Sequence, residues 1–258
     1  MERLYLGTNT KMYKTIAQTA DFLTQLEALT RDLPREDLEL FVIPSFTALE
    51  RAKACAGHIR IGAQNMGWED EGQFSGEISP LMLREVGVDL VMIGHSERRH
   101  VLLETDEMER RKVACALGHG ITPLLCVGET GEQKELGLSD EVLAAQVKIA
   151  LHGLSPEQAA QVRIAYEPVW AIGVGGVPAT ADYAARRHQG IRATLRQLFG
   201  PDTAARIPLL YGGNVNPENA VELSRMPDID GLFIGRSAWD AARFNGIIRA
   251  VLAARQPR

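Results

Sequence analysis

Residues 165–176 read AYEPVWAIGVGG, and the segment changes character after its second residue. It continues the apolar run Val162–Tyr166 and begins as a buried strand, yet a carboxylate, Glu167, stands where that run ends. Pro168, Val169 and Trp170 then stiffen the chain, and Gly173, Gly175 and Gly176 loosen it within a few positions. A buried strand has no use for a charge at its mouth, a stiff base and a loose glycine tip behind it, so the carboxyl end of this strand is a candidate place for chemistry.

Seven other short apolar runs share the opening of this stretch: Leu4–Gly7, Leu38–Ile43, Ile59–Ala63, Leu90–Ile93, Thr122–Val127, Ile207–Tyr211 and Gly231–Ile234. They lack polar alternation, so they read as strands buried on both faces. Most of the intervening segments carry helical signals. Ser155-Pro156-Glu157-Gln158 is an N-cap with proline at the first helical position and glutamine closing the turn. Thr180 precedes the long run Ala181–Phe199, and Asn216-Pro217-Glu218 is expected to open another helix. The Cys55–Gly76 region has little helical period and is the weakest unit. No break in composition marks a linker, so residues 1–258 are expected to form a single domain.

Eight strands alternating with helices predict an α/β fold, a parallel sheet closed into a (β/α)₈ barrel. An open doubly wound sheet would be expected to carry a glycine-rich turn after its first strand, and GTNTK (7–11) has no GxGxxG. Unusual residues follow nearly every strand: Asn9 and Lys11, Gln64 and Asn65, His95, Glu129, Glu167, Gly212 and Gly213, and Gly235. In a barrel these carboxyl ends meet on one rim, where such enzymes keep their chemistry.

Composition narrows what that chemistry can be. The chain has 258 residues, 45% of them hydrophobic and 24% charged, enough to bury a sizeable core. The net charge of −5 is spread along the chain, which argues against a nucleic-acid footprint or a polybasic membrane patch. Cys55, Cys115 and Cys126 form no CxxC and leave one thiol over, the usage of a reducing cytoplasm. MERLYLGTNTKMYK lacks the length and flanks of a signal peptide, and no apolar stretch approaches the roughly 18 residues of a membrane span. A soluble cytoplasmic protein is expected.

On the rim, Lys11 offers a fixed positive charge, Glu167 a base, and His95 a hydrogen-bond donor or proton shuttle. Gly173, Gly212, Gly213 and Gly235 offer backbone N–H groups that an anion can approach closely, and the loops after strands seven and eight are the usual phosphate site of this architecture. The set suits proton abstraction beside a carbonyl on a small phosphorylated molecule. No histidine pair has metal-ligand spacing, so neither a metal nor a cofactor is expected. Taken singly, Lys11 would be a solvated lysine, His95 a helix N-terminal residue held by backbone contacts, and Cys126 a small core residue. Their combination on one rim favours a site.

GTNTKMYK, GAQN, GEIS, VMIGHSERR, LLCVGET, AYEPVWAIG, YGGNVNPEN and DGLFIGR fall in an order and spacing that resemble the triosephosphate isomerase family from the first strand to the last. The resemblance implies a TIM barrel, a homodimer, and no metal or organic cofactor. It implies Glu167 as catalytic base, His95 as electrophile and Lys11 as electrostatic anchor, with Asn9 beside that lysine and Ser96 and Glu97 supporting. Gly173, Asn214 and Gly235 fall where the family binds phosphate. A glutamate base, a neutral histidine and a water-excluding loop form the division of roles for which this family is the standard instance. The resemblance implies that Pro168-Val169-Trp170 is the stiff hinge base of that lid and Ala171–Gly176 its mobile tip. The stretch Gln64–Glu77, with Trp68 and Phe74, is expected to enter a partner's site near Asn9 and Lys11.

The departures concern the substrate. Thr10 stands where the family has tryptophan and is expected to make room for an additional carbon. Val174 and Gly176 replace a threonine and a lysine at the lid tip, Asn214 a serine, and Phe233 a leucine over the base. Arg236 replaces the second glycine after the eighth strand. It could meet the phosphate, and is expected instead to turn outward and pair with an acid such as Asp240. GAQNMGW, GEISPLML and DGLFIGRSAW resemble more closely the isomerases of erythritol breakdown, which convert L-erythrulose 1-phosphate to D-erythrulose 4-phosphate. The alternative is the triose reaction, glyceraldehyde 3-phosphate to dihydroxyacetone phosphate.

Overall fold

A computed structural model describes residues 3–173 and 175–255. Val174, one of the lid-tip departures, lies outside the described residues. The strands are β1 (Leu4–Asn9), β2 (Leu38–Ile43), β3 (Arg60–Ala63), β4 (Leu90–Ile93), β5 (Thr122–Val127), β6 (Arg163–Tyr166), β7 (Leu209–Tyr211) and β8 (Gly231–Ile234). Each pairs in parallel with the next, and β8 returns to β1 through Tyr5↔Gly231 to Thr8↔Ile234, which closes the barrel. β1 runs to Asn9, beyond the Gly7 end of the apolar run, because Thr8 and Asn9 continue the ladder opposite Val42 and Ile43.

Two apolar layers account for the unbroken hydrophobic runs. Side chains alternate across a strand with period two. On β2, Phe41 and Ile43 point into the barrel with Leu90, Met92, Leu124, Cys126, Ala165, Leu210 and Phe233. Leu38, Leu40 and Val42 point outward and pack beneath the helices. Gly7 fits this interior for a steric reason: a Cβ there would lie 2.2 Å from the Phe41 ring.

The outer ring comprises α1 (Ile16–Thr30), α2 (Leu49–Cys55), α3 (Pro80–Val86), α4 (Ser96–His100), α5 (Asp106–Gly118), α6 (Gly131–Glu135), α7 (Ser139–Ala150), α8 (Pro156–Ala159), α9 (Ala181–Arg206), α10 (Ala220–Ser224) and α11 (Ala241–Arg255). The Ser155–Gln158 capping box opens α8, and Thr180 caps α9 by accepting from the Tyr183 N–H. α9 is broken at Gly200, whose φ of 80° is not helical. The third unit is irregular from residue 64 to 79 before the short α3, as its weak periodicity predicts.

One helix start differs from expectation. Asn216 Oδ1 accepts from the Glu218 and Asn219 N–H groups, which makes a turn, and α10 begins only at Ala220.

Candidate active site

The carboxyl ends of the strands surround a cavity of about 280 Å³. Asn9, Lys11, His95, Glu167, Gly173, Asn214, Gly235 and Arg236, far apart in sequence, all line it. Ser96 and Glu97 are joined to it by hydrogen bonds.

His95 is the N-cap of α4, and its Nδ1 accepts from the Glu97 N–H at 3.2 Å. A ring nitrogen that accepts cannot carry the proton of a neutral imidazole, so that proton sits on Nε2. Nε2 lies 3.6 Å from Glu167 Oε1, inside the cavity. The bland and the functional readings of this histidine are therefore compatible: the capping bond fixes the tautomer that presents a donor to the cavity.

Glu167 is buried, and its other carboxylate oxygen accepts from the Ser96 N–H at 3.4 Å. Its backbone N–H donates to Val127 O at 2.7 Å, which ties the end of β6 to β5. Gly212 leaves room for the side chain, since a Cβ there would lie 2.9 Å from Glu167 Cγ. Burial, and next the Glu167 charge, push the neighbouring Cys126 thiol well above its ordinary range. It remains a small core residue.

Lys11 is held in a left-handed conformation at φ 52°, unusual for a side chain with a Cβ. Its N–H donates to Asn9 Oδ1 at 2.7 Å, and Gln64 Nε2 donates both to Asn9 Oδ1 at 3.1 Å and to Lys11 O at 2.8 Å. Lys11 Nζ forms an ion pair with Glu97 Oε1 at 2.7 Å. Together these bonds fix the Lys11 backbone at the cavity wall and tether its ammonium to Glu97.

At the opposite side, Asn214 Nδ2 donates to Gly176 O at 3.4 Å and so touches the lid. Phe233 stacks on Phe41 at a centroid distance of 5.7 Å and forms part of the cavity floor.

Several rim residues play other parts. Glu129 is fully buried and accepts from Tyr166 Oη, Trp170 Nε1 and Tyr183 Oη at 2.8 to 3.1 Å. It anchors the lid base and does not line the cavity. Asn65 is occupied by Lys112 and Glu104.

Two expectations about specificity are corrected. Thr10 is wholly buried and absent from the cavity wall, so its small size makes no room for substrate. Asp240 Oδ1 accepts from the Arg243 N–H, and among the described residues no ion pair joins it to Arg236, which is exposed and lines the cavity.

Sequence reading missed Trp239 and Arg243, which also line the cavity. Trp239 Nε1 donates to Asn9 O at 2.9 Å, and its ring packs on Tyr13. Only the closure of β8 against β1 brings these residues together. Among the described residues, Asp70, Cys115 and His119 place three ligand-type atoms within 4.8 Å of one another, away from the cavity. Asp70 is already paired with His119 at 2.9 Å.

The model of the triosephosphate isomerase family matches residues 4–251. The chain belongs to this family. An L-erythrulose-1-phosphate isomerase from Rhizobium etli is 49% identical over 255 residues, covering 97% of this chain and 93% of that protein. Proteins of the same name from Mesorhizobium japonicum and Rhizobium meliloti are 48% and 47% identical, each covering 97% of this chain and 98% of its own length. As a member of the family, the chain is a sugar-phosphate isomerase. Its cavity sits at the barrel mouth, where a short phosphorylated sugar would have to enter.

Proposed function

We propose that this isomerase converts L-erythrulose 1-phosphate to D-erythrulose 4-phosphate. The observation that carries the substrate is the near-full-length likeness to relatives of that name. The cavity supports the mechanism. Glu167 takes the proton from the carbon that bears both a hydroxyl and the hydroxymethyl group, leaving an enediolate. The Nε2–H of His95 donates to the carbonyl oxygen as it gains charge, and the Lys11 ammonium stabilises that charge. Returning the proton to the neighbouring carbon, with the hydroxyl proton shifted between the two oxygens, moves the carbonyl by one position. Atoms and charge balance without a second reactant.

Gly173, Asn214 and Gly235 hold the phosphate end. Closure of the lid excludes water from an enediolate that would otherwise lose its phosphate. Asn9 orients Lys11, with Ser96 and Glu97 supporting the base and the histidine.

The working form in this reading is a homodimer. Its place is the cytoplasm, for which the free thiols Cys55, Cys115 and Cys126 are suited, and its pathway is erythritol breakdown, which would supply a phosphorylated tetrulose.

A single preparation tests the substrate. kcat/KM is measured for L-erythrulose 1-phosphate and for glyceraldehyde 3-phosphate. One hydroxymethyl group is worth about 1–3 kcal/mol of discrimination, so the tetrulose should be preferred while some triose activity persists. A triose preference beyond about a hundredfold would overturn the reading in favour of triosephosphate isomerase proper.

A further inference from the structure

Arg236 and Arg243 both line the cavity, and neither guanidinium has an ion-pair or hydrogen-bond partner among the described residues. Arg236 and Arg243 are exposed to solvent, whereas three arginines with largely buried side chains are engaged. Arg99 reaches Asp106 and Glu109, Arg192 reaches Asp228 and Asp230, and Arg163 reaches Glu39. Acidic residues outnumber basic ones 33 to 28, so a cavity lined by two unpaired arginines runs against the chain's charge balance. The nearest acid in sequence, Asp240, spends its Oδ1 on the Arg243 backbone N–H at 2.8 Å. That bond holds the first turn of α11 in place and leaves the Arg243 side chain free.

We infer that Arg236 and Arg243 form a two-guanidinium clamp on the substrate's phosphate, and that Arg243 is a substrate-binding residue. The inference rests on the phosphorylated-sugar reading of this cavity. A guanidinium is permanently charged, and its planar fork matches two phosphate oxygens at once. Two such groups beside one cavity repel each other when it is empty, and a dianion between them relieves that repulsion. Gly235 precedes Arg236, so a phosphate approaching the backbone there lies within reach of the side chain. The family pattern, with glycine at position 236, would have only the backbone on that side. An arginine clamp suits a substrate with an extra polar carbon, because it fixes the phosphate end while the other end gains freedom.

The test uses inorganic phosphate as the probe, titrated by calorimetry at constant ionic strength into the parent enzyme, Arg236→Gly, Arg243→Ala and Arg243→Lys. Arg51→Ala, an exposed change on α2, controls for net charge. Charge-assisted contacts of this kind, partly open to water, should give about a tenfold rise in Kd for each of the first two variants. Arg243→Lys should fall between parent and Arg243→Ala, and Arg51→Ala should match the parent. In turnover assays Arg243→Ala should raise KM more than it lowers kcat. Phosphate affinity within twofold of the parent in both Arg236→Gly and Arg243→Ala overturns the clamp, as does a parent that binds no phosphate. The probe carries no sugar, so a failure of the tetrulose assignment leaves this measurement intact, and the two outcomes are separable.

Discussion

Lys11 shows how much of the site depends on single residues held against their own preferences. A side chain in the left-handed region costs about 1–3 kcal/mol and persists only where its surroundings over-determine it. Asn9, Gln64 and Glu97 do so here, each through a bond of 3.1 Å or less. Glu167 is the opposite case: one weak bond to Ser96 and space beside Gly212 leave it free to move toward a substrate carbon. Replacing it with glutamine keeps shape and polarity but removes the proton acceptor. Turnover by Glu167→Gln should therefore fall by about a hundred- to ten-thousand-fold, with phosphate affinity nearly unchanged. Near-normal steady-state turnover would remove Glu167 from the role of base. Lys11, His95 and Glu167 were legible in the sequence because each directly follows a recognisable strand. Trp239 and Arg243 were not, because their position depends on where a loop and a helix settle after the barrel closes.

Among the elements, the strands were the most readable, since burial on both faces leaves a continuous apolar run. Helix starts depended on local chemistry: Ser155 and Thr180 behaved as caps, whereas Asn216 used its side chain to make a turn first. The lid base shows a connection that sequence alone does not give. Burial, and next the Glu129 charge, raise the Tyr166 phenol far above its usual range, so Tyr166 stays a donor to that carboxylate. Trp170 joins the same carboxylate, and Lys134 of α6 lies over its ring at 3.5 Å.

Farther along, α9 docks on the barrel through His188. Its ring lies beside Tyr166 and Tyr211, with Nδ1 donating to Asp228 O at 2.8 Å and Nε2 without a hydrogen-bond partner among the described residues. Burial pushes the His188 pKa down to about 4. Between its unfolded value near 6.5 and about 4, the unfolded chain binds a proton that the folded chain refuses. Stability from this residue is therefore fully present above pH 6.5 and is lost as pH falls through that window, by on the order of 3 kcal/mol. Urea unfolding at pH 7, 5.5 and 4.5 should show a steep decline in the parent and a shallower one in His188→Leu. Equal pH slopes in the two proteins would mean that His188 is not the group responsible.

At the scale of the whole molecule, the single chain leaves apolar surface that a second copy would cover. Met12 and Tyr13 beside Lys11, Phe74 in the long third loop, and Val101, Leu102 and Leu103 after α4 are all exposed. Leu103 is 75% exposed and also sits at φ 57°, a strained conformation for a leucine. A further cavity of about 680 Å³ lies under the third loop, lined by Trp68, Phe74, Leu81 and Met82. Exposed apolar surface of this kind marks an interaction site. The third loop also reaches Lys11 within the chain through Gln64, so its order and that of the site are linked. Sedimentation at micromolar concentration should give twice the 28.3 kDa chain mass. Phe74→Asp combined with Leu102→Asp should shift the protein toward single chains. Turnover should fall with the shift, because a loosened third loop no longer holds the left-handed Lys11. A single-chain species with full activity would refute the link between assembly and the site, whatever the substrate proves to be.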